Sequence, residues 1–474
     1  MRNYNFGKGK WVFVDWLGIE PGSGTHWDEK ETAGYCVPYG LELKTHMPDV
    51  IPEFCIPLDK PWEQGSSAFY ATFLKDGGIF RCWYELAGHR IGYAESDDGI
   101  NWKKPSLGLQ EIDGSKANNL LDCGAHGAGI FIDLSARPEE RYKMVSCIWT
   151  DTERLLMGAI SPDGLHWTSI SEPLMRNQQA DTQTICLYDE QKGKYVLYTR
   201  QSDGFMQRRG INRSESDDFR RFPPSQPVLE SNPTDPPDWD FYCNGYSRWP
   251  QTSSAHLMRI SMYKHTSDVV NVHLAVSRDG AIWHRPQGRQ PWITGGLSYP
   301  GPYSSVYACS GILHTGAGEW STYLGVSHHA HNEPIERNTQ PAGILRARMR
   351  EDGFMSLSSE GRGEAWTIPF TLECDTIRLN VNTQYAGFAR AELLVSSGAS
   401  TGGRRTSNQS IPGYSISDCM PISGNHIDAP LTWKYGPELG KFRGQTVRLH
   451  LELNKADLYS LKFDSKIARL EKTS

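Results

Sequence analysis

A heptad of the form Ser-x-Asp-Gly-x-x-Trp recurs in this chain, and no other feature limits the possible folds as strongly. Full copies stand at Ser96–Trp102, Ser161–Trp167 and Ser277–Trp283. Ser216-Asp217-Asp218-Phe219-Arg220-Arg221-Phe222 keeps the serine, the aspartate and an aromatic, and Arg350-Glu351-Asp352-Gly353 keeps only the turn. A unit that returns this way is the mark of a repeat architecture. Each copy is entered by an alternating apolar segment such as Val272-His273-Leu274-Ala275-Val276 and left by a short segment carrying the aromatic. Asp-Gly supplies the positive φ of a tight turn, and the Ser and Asp side chains can bond the turn's own N–H groups. The repeat is therefore a β-hairpin, and its aromatic is expected to be buried at one equivalent position in every copy: Trp102, Trp167, Phe222 and Trp283.

The aspartates of the five copies lie about 55–75 residues apart, longer than the ~40–50 residues of a four-stranded propeller blade, so blades with long loops are expected. Five copies predict five blades. With aromatics at 11%, 46 Gly and 28 Pro, the chain has the composition of many short strands joined by turns. After about residue 360 the hairpins stop. Ile377–Val381, Ala391–Val395 and Val447–Leu453 read as strands between polar, Gly-containing loops, the pattern of a β-sandwich. The class is all-β: a five-bladed β-propeller over residues 1–360, then a C-terminal β-sandwich over 361–474. Lys10–Val14 is expected to close the propeller by completing its last blade, and residues 17–60 to form an irregular lead-in.

The formal charge of −6 comes with no basic cluster, so a nucleic-acid partner has nothing on which to build counterion release. No apolar run reaches membrane length, and the N-terminus has no apolar signal core, so the chain as given reads as cytoplasmic, or of unknown location if a signal peptide was removed, with no membrane partner. Ten cysteines stand singly, several inside apolar strand patterns, and read as buried free thiols.

The hairpins, the openings Pro61-Trp62-Glu63 and Asp181-Thr182-Gln183, the run Arg141-Tyr142-Lys143-Met144 and the closing strand Ala456-Asp457-Leu458-Tyr459-Ser460 together resemble bacterial proteins described as similar to glycoside hydrolase family 32. The wider superfamily holds the five-bladed glycosidases of families 32, 43 and 68. The resemblance implies a carbohydrate substrate and a glycosidase. The chain lacks the family's Trp-Met-Asn-Asp-Pro-Asn-Gly and Arg-Asp-Pro, and Glu373-Cys374 falls in the expected sandwich, so site residues have to be argued from placement.

The innermost strand of every propeller blade faces one channel, so polar residues at the strand openings converge. Hydrolysis of a glycosidic bond uses two carboxyl groups, one protonated and one ionised. Glu63, Asp181 and Asp240 open the first, third and fourth blades. Asp181 starts an otherwise apolar strand, where an acid is costly unless used or paired; a turn carboxylate is the alternative. Trp62 could stack on a sugar and raise the pKa of Glu63, making Glu63 the acid and Asp181 its ionised partner, with Asp240 orienting substrate. His126, Arg200, Tyr242, Asn244, His265 and Glu319 are further substrate-binding candidates, each with a structural alternative. His328-His329-Ala330-His331 is dense but has no partner at a ligand spacing, so no metal or other cofactor is expected, and a channel calcium ion has no support from ligand spacing. The expected function is a glycoside hydrolase acting on a terminal furanose-type or related sugar. The alternatives are a non-catalytic glycan- or protein-binding propeller, and a transglycosylase or phosphorylase on the same scaffold.

Overall fold

The repeated turn folds identically in its three full copies. In the computed structural model, which describes residues 6–21, 38–178, 180–202, 204, 207–294, 303–333, 341–397 and 407–465, the Gly99 N–H donates to Ser96 Oγ at 2.9 Å. Asp98 Oδ1 accepts the N–H groups of Ile100 and Asn101, each at 2.8 Å. Asp163 and Asp279 accept the corresponding pairs, and Gly99, Gly164 and Gly280 have φ of 73°, 78° and 71°. The indole N–H of Trp102, Trp167 and Trp283 donates to the turn glycine's carbonyl. Burial of the aromatics is nonetheless unequal: Trp283 and Phe222 are buried, but Trp102 and Trp167 only half so, which corrects the expectation that every copy is buried.

The turn also staples one sheet to the next. Trp83 Nε1 donates to Gly164 O at 2.7 Å, Tyr198 OH to Gly280 O at 2.6 Å and Tyr323 OH to Gly99 O at 2.6 Å. A Cβ at Gly164 would stand 2.8 Å from Trp83 Cζ2, so the site takes glycine for contact as well as for φ.

The chain divides into two units, residues 47–249 with 256–350, and residues 1–46 with 250–255 and 351–474. The first unit holds four sheets in sequence order, three antiparallel and the fourth antiparallel but for one pair. Ala71–Asp76, Ile79–Leu86, Arg90–Ser96 and Leu120–Gly124 make the first; a five-stranded sheet begins at His126–Ile132; a four-stranded one begins at Ile185–Asp189. A nine-stranded sheet has two halves, beginning at Trp239–Cys243 and at Ser305–Ala308, joined by the single parallel pair Val270↔Ser305. The first strands of these segments touch one another. Gln183 Nε2 donates to Ala71 O, Thr72 Oγ1 and Ala128 O, Asn244 Nδ2 donates to Gln183 O, and Ser310 N donates to Ala71 O.

The outer strand of the last half-sheet is Asp49–Pro57, paired antiparallel with Gly343–Arg350. Part of the stretch expected to be irregular is thus a nine-residue strand. It explains why the fifth turn copy is reduced to Arg350–Gly353: the fourth strand arrives from upstream, so no hairpin is needed there. From sequence this place falls to the N-terminal strand; Gly9–Val12 instead pairs with Thr446–Asp464, which corrects that expectation.

In the second unit, Thr376–Ser397 and Thr446–Asp464 pair antiparallel at the centre of an eight-stranded sheet, with register shifts at Asn380/Val381 and Thr383/Phe388, where bulges bend strands. Trp11, Leu379, Leu393, Trp433, Leu451 and Phe463 are buried in its core. All nine described cysteines are free, and burial pushes the Cys309 thiol up to about 12.

Candidate functional site

Two aspartates, one before the third sheet and one in the fourth, are each held by one guanidinium and one imidazole, and both guanidiniums lie near a single tyrosine ring. Asp181, two residues before Gln183 and its sheet contacts, takes Arg200 Nη2 on Oδ2 at 2.8 Å and stands 3.2 Å from His126 Nε2 through Oδ1. Asp240, inside the strand Trp239–Cys243, stands 2.8 Å from His265 Nε2 and 3.2 Å from Arg209 Nη1. The guanidiniums of Arg200 and Arg209 lie 5.6 and 5.1 Å from the centre of the Tyr242 ring. Asp240 and Tyr242 lie two apart on a strand whose register shifts between Phe241 and Cys243, and the buried Arg200 keeps Nε and Nη1 without a hydrogen-bond partner.

Around this group stand Tyr70, whose hydroxyl is 3.5 Å from Asp181 O and whose ring meets that of His126 edge-on, and Tyr307, 2.5 Å from His331 Nδ1. Burial alone would raise the Asp181 carboxyl, but the hydrogen bond with His126 and the charge of Arg200 outweigh it and hold it below its ordinary value. Burial opposes charge on His126 too, yet the hydrogen bonds to Asp181 and Glu85 raise it to about 9. Burial lowers His331 to about 4, outweighing the charge of Asp268. Asp181 forms part of the wall of a cleft of about 560 Å³ shared with Trp149, Glu153, Arg154 and Asn177. Trp149 is 44% exposed, an apolar face available to a ligand.

The structure therefore brings together Asp181, Asp240, His126, Arg200, Tyr242 and His265. It does not bring Glu63 to them, which corrects its assignment as the acid. The Glu63 side chain is fully enclosed and accepts hydrogen bonds from Tyr84 OH at 2.7 Å, Lys104 Nζ at 2.6 Å and Lys60 N at 2.9 Å. Tyr84 and Glu85 alternate on their strand, so Glu63 sits on the face away from His126. Trp62 donates its indole N–H to Asn119 Oδ1 in the same buried network. Asn244 is fully buried, bonding Gln183 O and Tyr198 O. Glu319 opens the strand Glu319–Ser327, whose other end leads to His331, and it pairs with Arg346.

Sequence reading missed Glu85. It comes from the second strand of the first sheet, with its side chain 10% exposed, and stands 2.7 Å from His126 Nδ1 and 3.0 Å from His89 Nδ1, while its other oxygen accepts the Gly127 N–H at 2.8 Å. Hydrogen bonds from the two histidines overcome burial and keep its carboxyl below the ordinary value. The signal available was an acid between Tyr84 and Leu86 in an apolar strand, the same argument that picked out Asp181. Arg209 and Tyr70 were missed as well, because neither interrupts a pattern.

No family model matches the chain. Two curated relatives from Mycobacterium tuberculosis, the uncharacterized proteins Rv1502 (strain H37Rv) and MT1551 (strain CDC 1551), are each 26% identical over 155 and 158 residues, 29% of this chain. The chain spans about half the length of these relatives, 48% of each. Solved structures similar to this chain are glycoside-hydrolase-like. They include a glycoside hydrolase family 43 arabinoxylan arabinofuranohydrolase from Bacillus subtilis in complex with cellotetraose, 10% identical with a TM-score of 0.40, covering 87% of this chain and 99% of that one. A glycosyl hydrolase from Bacteroides ovatus is 16% identical with a TM-score of 0.40, covering 64% and 90%. An N-acetylgalactosamine deacetylase from F. plautii in complex with blood group B trisaccharide is 14% identical with a TM-score of 0.40, covering 66% and 97%.

Proposed function

We propose that this chain is a glycoside hydrolase acting on a terminal furanose-type or related sugar, with its reacting centre at Asp181 and Asp240. In this reading residues 47–249 and 256–350 form a five-bladed β-propeller, the five first strands facing one channel, and the C-terminal strands form an accessory β-sandwich. The contacts of Ser310 with Ala71 and of Tyr323 with Gly99 support a ring, because they join the last half-sheet to the first sheet.

The observation that carries the proposal is the pair of bracketed aspartates about Tyr242. Acids that far apart in sequence, each held by an arginine and a histidine, with Asp181 in the wall of an open cleft, are placed for use at one ligand. Asp181, its side chain 29% exposed, is the ionised partner, acting as nucleophile or as base for water. The leaving oxygen needs a proton, and with Glu63 enclosed the donor is His265, half exposed and oriented by the buried Asp240. Trp149 offers a sugar a stacking face, while the enclosed Arg200 holds Asp181 ionised.

The test is a panel of aryl glycosides across furanose and pyranose sugars, read for aryl release. At least one is cleaved by the wild type, and His265→Ala slows cleavage of aryl leaving groups of high pKa more than those of low pKa, since only the former need the proton. A panel in which nothing is bound or cleaved overturns the proposal.

A further inference from the structure

We propose that Glu85, His89 and His126 form a binding site for one first-row divalent transition ion of the Zn²⁺ class. The donor atoms of the three residues all lie within 4.8 Å of one another. Glu85 Oε1 is the hub, 2.7 Å from His126 Nδ1 and 3.0 Å from His89 Nδ1, and the two rings meet at 64° with centroids 4.6 Å apart. Small side-chain adjustments bring the three atoms to the ~2.0–2.2 Å that a zinc ion takes from nitrogen and carboxylate oxygen.

The groups behind these donors fix which atoms face inward. His126 Nε2 has Asp181 Oδ1 at 3.2 Å, the carboxylate that orients a ligating imidazole by accepting the proton of its far nitrogen. With that proton on Nε2, the lone pair of Nδ1 faces Glu85 Oε1 at 2.7 Å, and a bound ion would take the place of the proton the two atoms otherwise share. Glu85 Oε2 is occupied by the Gly127 N–H, which leaves Oε1 for the ion. His89 is delivered by a strained turn: its φ is 59°, rare for a side chain of this size, directly after Gly88 at 73°. Strain of that kind persists where the surroundings hold it, commonly at ligand sites.

Two imidazoles and one carboxylate suit zinc and its neighbours and fall short of the all-oxygen shells of Ca²⁺ and Mg²⁺. His89 is half exposed, so the fourth position opens to solvent, as in sites where a metal meets a ligand. The ion would lie on the side of His126 away from Asp181 and bind water or a sugar hydroxyl there.

The inference does not rest on the carbohydrate reading, because metal binding is measured directly. The full-length protein is stripped with a chelator, dialysed and titrated with Zn²⁺ by calorimetry, and with Co²⁺ followed by its visible ligand-field bands. One equivalent of Zn²⁺ binds, Ca²⁺ does not compete, and Co²⁺ gives the intense bands of a four- or five-coordinate site. His89→Gly, which suits the backbone of that turn, and Glu85→Gln each weaken Zn²⁺ binding by at least the ~10–100-fold expected for loss of a supporting group. Circular dichroism checks that both variants fold, and His166→Ala, an exposed histidine beside Asp163, binds as the wild type does. Failure of the wild type to take up either ion, tight competition by Ca²⁺, or a folded His89→Gly that binds Zn²⁺ unchanged overturns the proposal.

Discussion

Glu63 and Asp181 are both carboxylates beside an apolar segment, and their surroundings assign them opposite tasks. Glu63 is enclosed with Lys104, Tyr84 and the Lys60 N–H, so it holds the start of the first sheet. Glu63→Ala leaves Lys104 without its buried partner and is expected to cost about 3–5 kcal/mol. Denaturant unfolding reads the loss, and kcat on any cleaved glycoside stays near wild type; a large fall in kcat with unchanged stability would contradict this. The turn aspartates make a second prediction. Against burial, the backbone N–H groups of Leu165 and His166 and the His166 side chain lower Asp163 to about 2 in the folded state. Such a carboxylate stabilises the fold fully above its unfolded value and progressively loses that effect as pH falls through the folded one. The Tm gap between wild type and Asp163→Asn should be constant above about pH 5 and shrink toward pH 2, whereas a gap independent of pH would remove the charge from the account. At this scale the sequence reveals an acid in an apolar strand but not its partners. That rule singled out Asp181 and passed over Glu85, while Glu63 and Asp240 were chosen as strand openings, a criterion that does not tell an enclosed carboxylate from one beside the histidines.

Among the elements, the turn repeat was legible because its chemistry is local: every bond within Ser-x-Asp-Gly spans no more than three residues. The strand Asp49–Pro57 was illegible because its partner is Gly343–Arg350, almost three hundred residues away, and its pattern is interrupted by register shifts. Exposed and buried residues do not alternate cleanly along it, so the period-2 signal fails. If it completes the last half-sheet, the fully buried Ile56 contributes to the whole unit. Ile56→Ala should cost about 2–5 kcal/mol, while Glu53→Ala, exposed on the same strand, changes stability by less than about 0.5 kcal/mol. Equal effects of the two in thermal unfolding would mean that the strand is peripheral. Lys10–Val14 was misassigned for the same reason as 49–57 was overlooked, since an apolar strand carries no label for its partner.

For the whole molecule, the sequence order of the sheets carries the proposed function. Asp181, ahead of the third sheet, and Asp240, in the fourth, are separated by more than fifty residues, yet Arg200, Tyr242 and Arg209 connect them. The repeat predicted that strand openings would converge; which opening residues point inward depends on register, and there the sequence was silent. The most direct measurement is therefore Asp181→Asn, which keeps size and hydrogen bonding but removes the charge. Kinetics on the best aryl glycoside, Kd for a non-cleaved analogue and Tm are determined together on this variant and the wild type. The account predicts that kcat falls by about 10²–10⁴, with Kd within a few-fold and Tm within a few degrees of wild type. Retention of wild-type kcat by a folded Asp181→Asn that binds the analogue would contradict it.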